Sequence, residues 1–258
     1  MMFDVISQRL HTKSTALLVS IETSLPRLMT AWFVVAMLAC ALRIALSPLH
    51  AALELGTLLP YLLLVTTPLL SMGLALHWFR DGHLLPQPTM RLARAGRWRS
   101  VSRAEAERHP LYGSSGIMVS LLVGMLLNVP VRALEYLAAI PALSGNVPEW
   151  LATLHLMMTL DVVLLSSLYT IAFVAALRRV PLFPRLLAAI WIVDLAMQLS
   201  IAAVVAGTNG LPHSVADALY NLLNGNTKKV LISIGLWLPY LLMSKRVNVT
   251  YRHRVERD

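Results

Sequence analysis

The sequence predicts an all-α, polytopic integral membrane protein with six transmembrane helices, and three observations support this fold class. Hydrophobic residues make up 57% of the 258 residues, charged residues only 14%, and the mean hydropathy is +0.66. An ordinary soluble domain is less apolar and carries about a quarter charged residues. Six mostly apolar stretches lie between residues 28 and 243. They are continuous rather than alternating, which favours helices, and lipid leaves few other ways to satisfy the backbone.

The predicted spans are apolar runs bounded by Arg, Lys or turn-forming residues. They cover residues 28–47, 58–78, 117–140, 150–177, 186–206 and 230–243. The last span is short for a hydrocarbon core of about 30 Å. It also contains Pro239, which lacks a backbone donor and favours a kink. Trp78 and Trp150 lie at span ends, where aromatic rings favour the headgroup level.

Basic residues predict the orientation. With the N-terminus in the cytoplasm, all but four of the 22 Lys and Arg residues fall in cytoplasmic segments, the four being Arg43, Arg132, Lys228 and Lys229. The positive-inside rule then places both termini in the cytoplasm of a bacterium, with the chain in the inner (plasma) membrane. The first 25 residues contain no apolar run long enough for a removable signal peptide.

This orientation divides the chain into five predicted segments. They are a cytoplasmic or interfacial segment (1–27), a transmembrane hairpin (28–78), an arginine-rich cytoplasmic loop (79–116), a four-helix membrane domain (117–243) and a basic cytoplasmic tail (244–258). Within the third outer connection, residues 213–226 predict a short amphipathic helix on the outer surface. Ser214 and Asp217 have capping-box-like spacing at its start, and Asn224-Gly225 would end it.

A weak internal repeat relates the two halves. Residues 48–54 (PLHAALE) follow the first span, and residues 130–135 (PVRALE) follow the apolar core of the third. The similarity indicates either a duplicated helical hairpin or two unrelated Pro-capped turns at a membrane surface.

Three segments of the second half carry a family resemblance. They are residues 130–135, the stretch from Tyr169 to Arg179 with Phe183-Pro184-Arg185 after it, and the ending that includes Trp237, Pro239, Tyr240, Ser244, Lys245 and Arg246. With these segments, residues 113–251 resemble the uncharacterised bacterial membrane family catalogued as domain of unknown function 2569. The resemblance implies a four-helix inner-membrane unit over more than half of the chain, here preceded by an extra helical hairpin. It implies no reaction, ligand or binding residue.

Two acids inside the predicted spans are the main candidates for a functional site. A carboxylate in the hydrocarbon is costly, so Asp161 and Asp194 are expected to face protein or water. Asp161 falls near the middle of its span and Asp194 roughly 13 Å from the inner surface. This difference in depth, about a third of the bilayer, argues against a shared ion cage and allows a stepped proton path. Packing by hydrogen bonds to other helices and incidental placement are the alternatives.

Helical spacing assigns the polar neighbours of these acids to faces. Gln198 follows Asp194 by four residues and therefore shares its inward face. His155 shares a face with Thr159, whereas Asp161 points elsewhere, which argues against a proton pair of His155 and Asp161.

No motif for catalysis, a metal or a cofactor is evident. The eight His residues are scattered singly, Cys40 is the only cysteine, and Gly113-Ser114-Ser115-Gly116 follows no strand and so is not a nucleophile elbow. We therefore expect no cofactor and no enzyme activity. An enzyme acting on lipid remains a weaker alternative, since Arg132 and Glu135, like His50 and Glu54, lie at helical spacing on the predicted outer side.

The arginine-rich loop is the candidate contact surface. Its arginines include Arg91, Arg94, Arg97, Arg99 and Arg103. They either anchor the topology alone or bind anionic lipid or another membrane protein. The net charge of +9 follows the loops rather than a soluble face, so nucleic acid is not an expected partner. The lipid bilayer is the expected partner.

These observations predict an accessory or scaffold protein of the bacterial envelope that binds membrane proteins or lipid through its arginine-rich loop. The alternative is a small-solute or proton-coupled transporter that uses Asp161 and Asp194.

Overall fold

The protein is a bundle of long helices with a small cap at one end, formed by the short elements of residues 98–107 and 245–256. The computed structural model describes residues 2–47, 55–89, 96–143, 145 and 147–257, and the side chains from residue 12 onward within them. The α-helices are α1 (Met2–Ala45), α2 (Leu55–Trp78), α3 (Arg103–Glu107), α4 (Met118–Ala139), α5 (Glu149–Leu177), α6 (Phe183–Ala206), α7 (His213–Met243) and α8 (Lys245–Arg252). The strands are β1 (Trp98–Ser100) and β2 (Arg254–Glu256), and Gly82–Leu84 form a 3₁₀ turn.

Five of these helices are long and apolar enough to cross a membrane. They are α1 from Thr12, α2, α4, α5 and α6. The helices α7 and α8 add a sixth candidate span if this pair, bent by 71°, is taken as one. The helical, multi-pass membrane architecture predicted from the apolar runs is therefore confirmed, with five or six spans.

Helix α5 forms the centre of the bundle. It packs against α2, α4 and α6, while α1 lies on α2 and α4, and α7 lies on α6. Two apolar cores result, one on each side of the mid-plane of the bundle. The core nearer the cap includes Met118, Phe173 and Leu187. The other core includes Tyr136 and Ile201 and lies toward the α4–α5 connection.

Helix α1 begins well before the predicted span of residues 28–47. Leu18, Ile21 and Leu25 are spaced three and four residues apart and are buried in the core nearer the cap. The Ser14 hydroxyl accepts a hydrogen bond of 2.8 Å from the backbone of Gly116, which fixes this part of α1 beside the start of α4. The sequence prediction began the span too late because charged residues interrupt the apolar run, although they lie on the exposed side of the same helix.

The predicted break within residues 213–243 is absent. Helix α7 starts after Pro212, without a side-chain cap from Ser214, and continues through Asn224-Gly225 and Pro239. A buried row of Leu219, Leu223, Asn226 and Val230 extends across the expected break and holds the helix against α6. The prediction of a separate amphipathic helix on the outer surface is therefore wrong.

Helix α4 likewise runs without interruption through Pro130 to Ala139, so residues 130–135 are helical and not a surface turn. Their suggested counterpart, residues 48–54, lies outside the described residues, and the predicted repeat stays untested.

The cap joins two segments that the sequence separates widely. Strands β1 and β2 pair antiparallel, with Trp98 opposite Glu256 and Ser100 opposite Arg254. Ser244 caps α8, and Tyr251 of α8 donates a hydrogen bond of 2.8 Å to the backbone oxygen of Ala176 at the end of α5. The arginine-rich loop and the C-terminal tail thus form one unit against the bundle.

Candidate functional site

A charged cluster lies buried where α4, α5 and α6 meet. We call it the Arg132 cluster, and its members are Asn128, Arg132, Asp161, Tyr169, Asp194 and Gln198. Each of the three helices is predominantly apolar and contributes two of these residues. The exposed fraction is 8% for Arg132, 6% for Asp161, 2% for Gln198 and 0% for Asp194. These charged and amide side chains are therefore enclosed among helices rather than placed on a surface.

Arg132 holds the cluster together through its guanidinium group. Nη1 donates a hydrogen bond of 3.0 Å to Asp161 Oδ2, and Nη2 donates to Asp194 Oδ2. Nε donates to Asn128 Oδ1 at 3.0 Å, one helical turn away on α4. The guanidinium carbon also lies 5.8 Å from the centre of the Tyr169 ring. The planar, forked donors of arginine suit this simultaneous contact with two carboxylates, which a lysine could not reproduce.

The two carboxylates are held by different further donors. Asp161 Oδ1 accepts a hydrogen bond of 3.0 Å from Gln198 Nε2, so both of its oxygens are engaged. On Asp194, by contrast, Tyr169 donates at 2.9 Å to Oδ2, the oxygen that also receives Arg132. Asp194 Oδ1 and Gln198 Oε1 are buried without a hydrogen-bond partner. Such orphan acceptors are costly in a low-dielectric interior and call for an explanation.

The charges of the cluster do not cancel when all three groups are ionised. One guanidinium faces two carboxylates, which leaves one negative charge in excess. A buried charge without a counterion costs several kcal/mol or more, depending on how well its surroundings hydrogen-bond to it.

The predicted difference in depth between the acids is corrected by this arrangement. Both carboxylates contact the same guanidinium, so they belong to one site. Gln198, which bonds to Asp161, lies one turn beyond Asp194 on α6. At 1.5 Å per residue this turn accounts for about 6 Å, and the fork of Arg132 bridges what remains. Counting residues from the nearest arginines therefore overestimated the separation of the two carboxylates.

Arg132 was not predicted as a partner of Asp161 and Asp194, because residues 130–135 were interpreted as a turn on the outer side of the membrane. Only two basic residues, Arg43 and Arg132, fall within the predicted spans. Arg43 donates at 3.1 Å to the backbone oxygen of Ile140, near the α4–α5 connection. The requirement that two buried acids find a cation, together with Asn128 one turn from Arg132, was the signal available in the sequence.

His155 makes a separate contact on α5. Tyr136 lies 3.4 Å from His155 Nε2 and 2.9 Å from the Thr159 hydroxyl. The shared face of His155 and Thr159, predicted from helical spacing, is therefore confirmed. Gln198 also faces inward with Asp194, as predicted.

A polar cleft between α4 and α7 reaches the Arg132 cluster. It is a cavity of about 140 Å³, and its polar lining consists of Asn128, Arg132, Glu135, Tyr169, Asn226, Lys229 and Ser233. An ion pair of Lys229 on α7 and Glu135 on α4 joins the two helices across it. Trp191 also lines the cleft, and its buried indole nitrogen has no hydrogen-bond partner. The cleft therefore offers donors and charges to a small polar molecule.

Among the described residues, no group of three or more His, Cys, Asp and Glu side chains is arranged to hold a metal ion.

The predicted contact arginines lie at the cap where they are described. Arg97, Arg99 and Arg103 are exposed. Arg99 pairs with Glu105 at 2.7 Å, and Arg103 with Glu107 at 3.6 Å. Arg91 and Arg94 lie outside the described residues.

The C-terminal residues among those that carry the family resemblance surround the bend between α7 and α8, whereas Arg132 and Tyr169, from its other two segments, belong to the Arg132 cluster. The rings of Trp237 and Tyr240 meet edge to face at 5.9 Å. Beyond the bend, Lys245 pairs with Glu256 of β2, and Arg246 donates at 2.8 Å to the Ser115 hydroxyl. Lys245 and Arg246 thus fix the cap to the bundle, while Trp237 lines the cleft that reaches the Arg132 cluster.

Comparison with known proteins found no match: no family model, no curated protein and no solved structure is similar to this chain. The resemblance of residues 113–251 to domain of unknown function 2569 thus stays a prediction.

Proposed function

We propose that this protein is a membrane transporter for a small anionic solute, with the Arg132 cluster as its binding and coupling site. The observation that carries the proposal is an arginine bound to two aspartates from two other helices, at the inner end of a polar cleft. This is the transport alternative from the sequence, now with Arg132 added to Asp161 and Asp194.

A purely structural role explains the cluster less well. A buried ion pair stabilises little in comparison with apolar residues of similar size, because desolvation offsets the attraction. Polar groups inside spanning helices are therefore functional candidates by default. Here the argument is stronger, because with all three groups ionised the charges do not balance and two acceptors are unsatisfied, so the site has to take up a proton or a ligand. A packing device would be expected to satisfy its own groups.

The cleft favours a small anion. Arg132 and Lys229 line the cleft with one carboxylate, Glu135, and with apolar side chains, while Asp161 and Asp194 contact Arg132 but do not line the cleft. Guanidinium and ammonium groups bind carboxylate and phosphate by charge-assisted hydrogen bonds. The cavity of about 140 Å³ is below the roughly 300 Å³ at which pockets for drug-sized ligands begin. The expected solute therefore has few non-hydrogen atoms.

Competition for Arg132 supplies a mechanism. An anion that enters the cleft and binds the guanidinium takes the place of one carboxylate, and the Lys229–Glu135 pair across the cleft separates when α4 and α7 move apart. Rocking of helices around a fixed site near the middle of the membrane is how many transporters achieve alternating access.

Uptake into reconstituted vesicles tests the proposal. Labelled acetate, inorganic phosphate and glutamate serve as probes, with wild type, Arg132→Gln and Asp161→Asn compared. Losing one charged hydrogen bond costs about 1.5 to 3 kcal/mol, so uptake should fall about tenfold to a hundredfold. Arg103→Gln, in the exposed cap, is the matched control and should transport as wild type does. Failure of all three probes to enter faster than into empty vesicles counts against transport, and equal uptake with Asp161→Asn removes Asp161 from the mechanism.

The accessory or scaffold role remains the second candidate. It is supported by the exposed arginines at the cap, which suit anionic lipid or an acidic segment of a partner. We place the protein in the bacterial inner membrane with both termini in the cytoplasm, from the distribution of its basic residues, and assign it no enzyme activity. Affinity purification in mild detergent tests the scaffold role, and consistent recovery of the protein alone would contradict it.

A further inference from the structure

We infer that the Arg132 cluster binds one proton, carried by Asp194 Oδ1 and shared with Gln198 Oε1. This proton is the coupling ion of the transporter, and its biological role rests on the proposed transport function. The site itself is argued from hydrogen bonding and charge alone.

The first argument is that one proton satisfies both orphan acceptors. Asp194 Oδ1 and Gln198 Oε1 belong to residues four apart on α6, which places them on the same face, one turn from each other. Two acceptors cannot bond to each other unless one carries a proton. A protonated Asp194 becomes a donor through Oδ1, and Gln198 Oε1 becomes its acceptor.

The orientation of the Gln198 amide is fixed by its other partner. An ionised carboxylate only accepts hydrogen bonds, so the amide must present Nε2 to Asp161 Oδ1, at 3.0 Å. Oε1 is then directed away from Asp161 and is free to accept from Asp194. Amide orientation is thus set by the chemistry of the pair.

The second argument is the charge balance. With one proton bound, the site holds the Arg132 cation, the Asp161 anion and a neutral Asp194, and its net charge is zero. Each oxygen of Asp161 accepts a hydrogen bond, whereas Asp194 has one oxygen without a donor, so the proton is assigned to Asp194. Carboxylates that share a site rarely ionise together, and here their hydrogen bonding decides which one binds the proton.

The groups that face Asp194 support this assignment. Helix α4 contributes Arg132, and α5 contributes Asp161 and Tyr169. On α7, Lys229 lines the cleft beside Arg132 rather than Asp194, and its charge is already paired with Glu135. A metal cation would need several oxygen ligands, while the described part of the site offers only two unpartnered acceptors. A proton needs no more than those two.

Binding and release of this proton would control Arg132. When Asp194 is neutral, its hold on the guanidinium weakens and Arg132 can receive an anion from the cleft. When the proton leaves, Asp194 regains its charge, competes for Arg132 and displaces the anion. Solute and proton therefore bind together, which is the condition for symport.

Infrared spectroscopy of the purified protein tests the site. A protonated carboxylic acid has a carbonyl band that ionised carboxylates lack, and this band shifts in D₂O. We expect one such band in wild type at neutral pH, its loss in Asp194→Asn, and its shift in Gln198→Leu, where the acceptor is removed. Glu135→Gln, which changes a carboxylate in the same cleft, is the matched control and should keep the band.

The outcome is independent of transport. Asp194→Asn mimics the protonated, neutral side chain, so it should fold and its spectrum can be recorded. Absence of the band from wild type, or its persistence in Asp194→Asn, overturns the inference even if the vesicles show solute uptake. Presence of the band without uptake of any probe supports the proton site and contradicts only the transporter proposal.

Discussion

Replacing Arg132 by methionine should destabilise the protein strongly, and the cause can be isolated. The substitution removes hydrogen bonds from Arg132 to Asn128, Asp161 and Asp194, two of them to carboxylates. Removing one partner of a buried ion pair costs about 3 to 5 kcal/mol, since the remaining charge stays buried. At about 2 to 4 °C per kcal/mol for a chain of this size, Tm should fall by roughly 6 to 20 °C.

The assay is thermal unfolding in one detergent, with two comparison variants. Arg103→Met removes an exposed arginine paired with Glu107, and such pairs contribute about 0 to 1 kcal/mol, so its Tm should stay close to that of wild type. The double variant Arg132→Met with Asp161→Asn removes one of the two carboxylates and, with Asp194 protonated as inferred above, leaves a neutral site. It should regain most of the lost stability, which is a large coupling between the two positions.

The double variant decides between charge and packing. If unpaired charge causes the loss, the second substitution restores stability. If the loss came from the packing of the arginine stem, Asp161→Asn would not help, and Tm of the double variant would be no higher than that of Arg132→Met. That result, or a single variant as stable as Arg103→Met, would refute the reasoning.

Three further predictions concern the cap and the cleft. Tyr251→Phe should lower the free energy of unfolding by about 0.5 to 1.5 kcal/mol, because the Ser114 hydroxyl and the Ala176 carbonyl each lose one buried partner but keep their bond to each other, and a denaturation series that finds no change would contradict this. Lys229→Ala should cost under about 1 kcal/mol, as its ion pair is exposed, so a Tm more than about 4 °C below wild type would show that the pair holds the bundle together. A cysteine introduced at Ser233, in a Cys40→Ala background, should react with a polar thiol reagent, because Ser233 lines the cleft. In wild type, Cys40 is only 4% exposed and should react with the same reagent only after unfolding.

The general architecture could be predicted from the sequence because lipid imposes a simple requirement. A continuous apolar run of about 20 residues must be helical to cross the hydrocarbon. The ends of α2, α5 and α6 accordingly lie close to the predicted bounds. The limits of α1 and α7 could not be found in this way, because a helix continues wherever its backbone bonds are made, whether or not its exposed side is apolar.

The site was predictable only in part, for a related reason. The inward face shared by Asp194 and Gln198 follows from the helical repeat alone. The contact of Arg132 with both acids depends on how α4, α5 and α6 pack, which no periodicity specifies. A hydropathy pattern also predicts that an arginine lies at the membrane surface. This prediction fails for Arg132, because two buried carboxylates lie within hydrogen-bond distance of its guanidinium group.

The strand pair of the cap has a consequence for the order of biosynthesis. Trp98 pairs with Glu256, so β1 has no partner until residues 254–256 have left the ribosome. By then every spanning helix has already been inserted. Closure of the cap therefore requires residues 254–256, and a product that ends before them would display an unpaired strand edge that quality-control proteases can recognise.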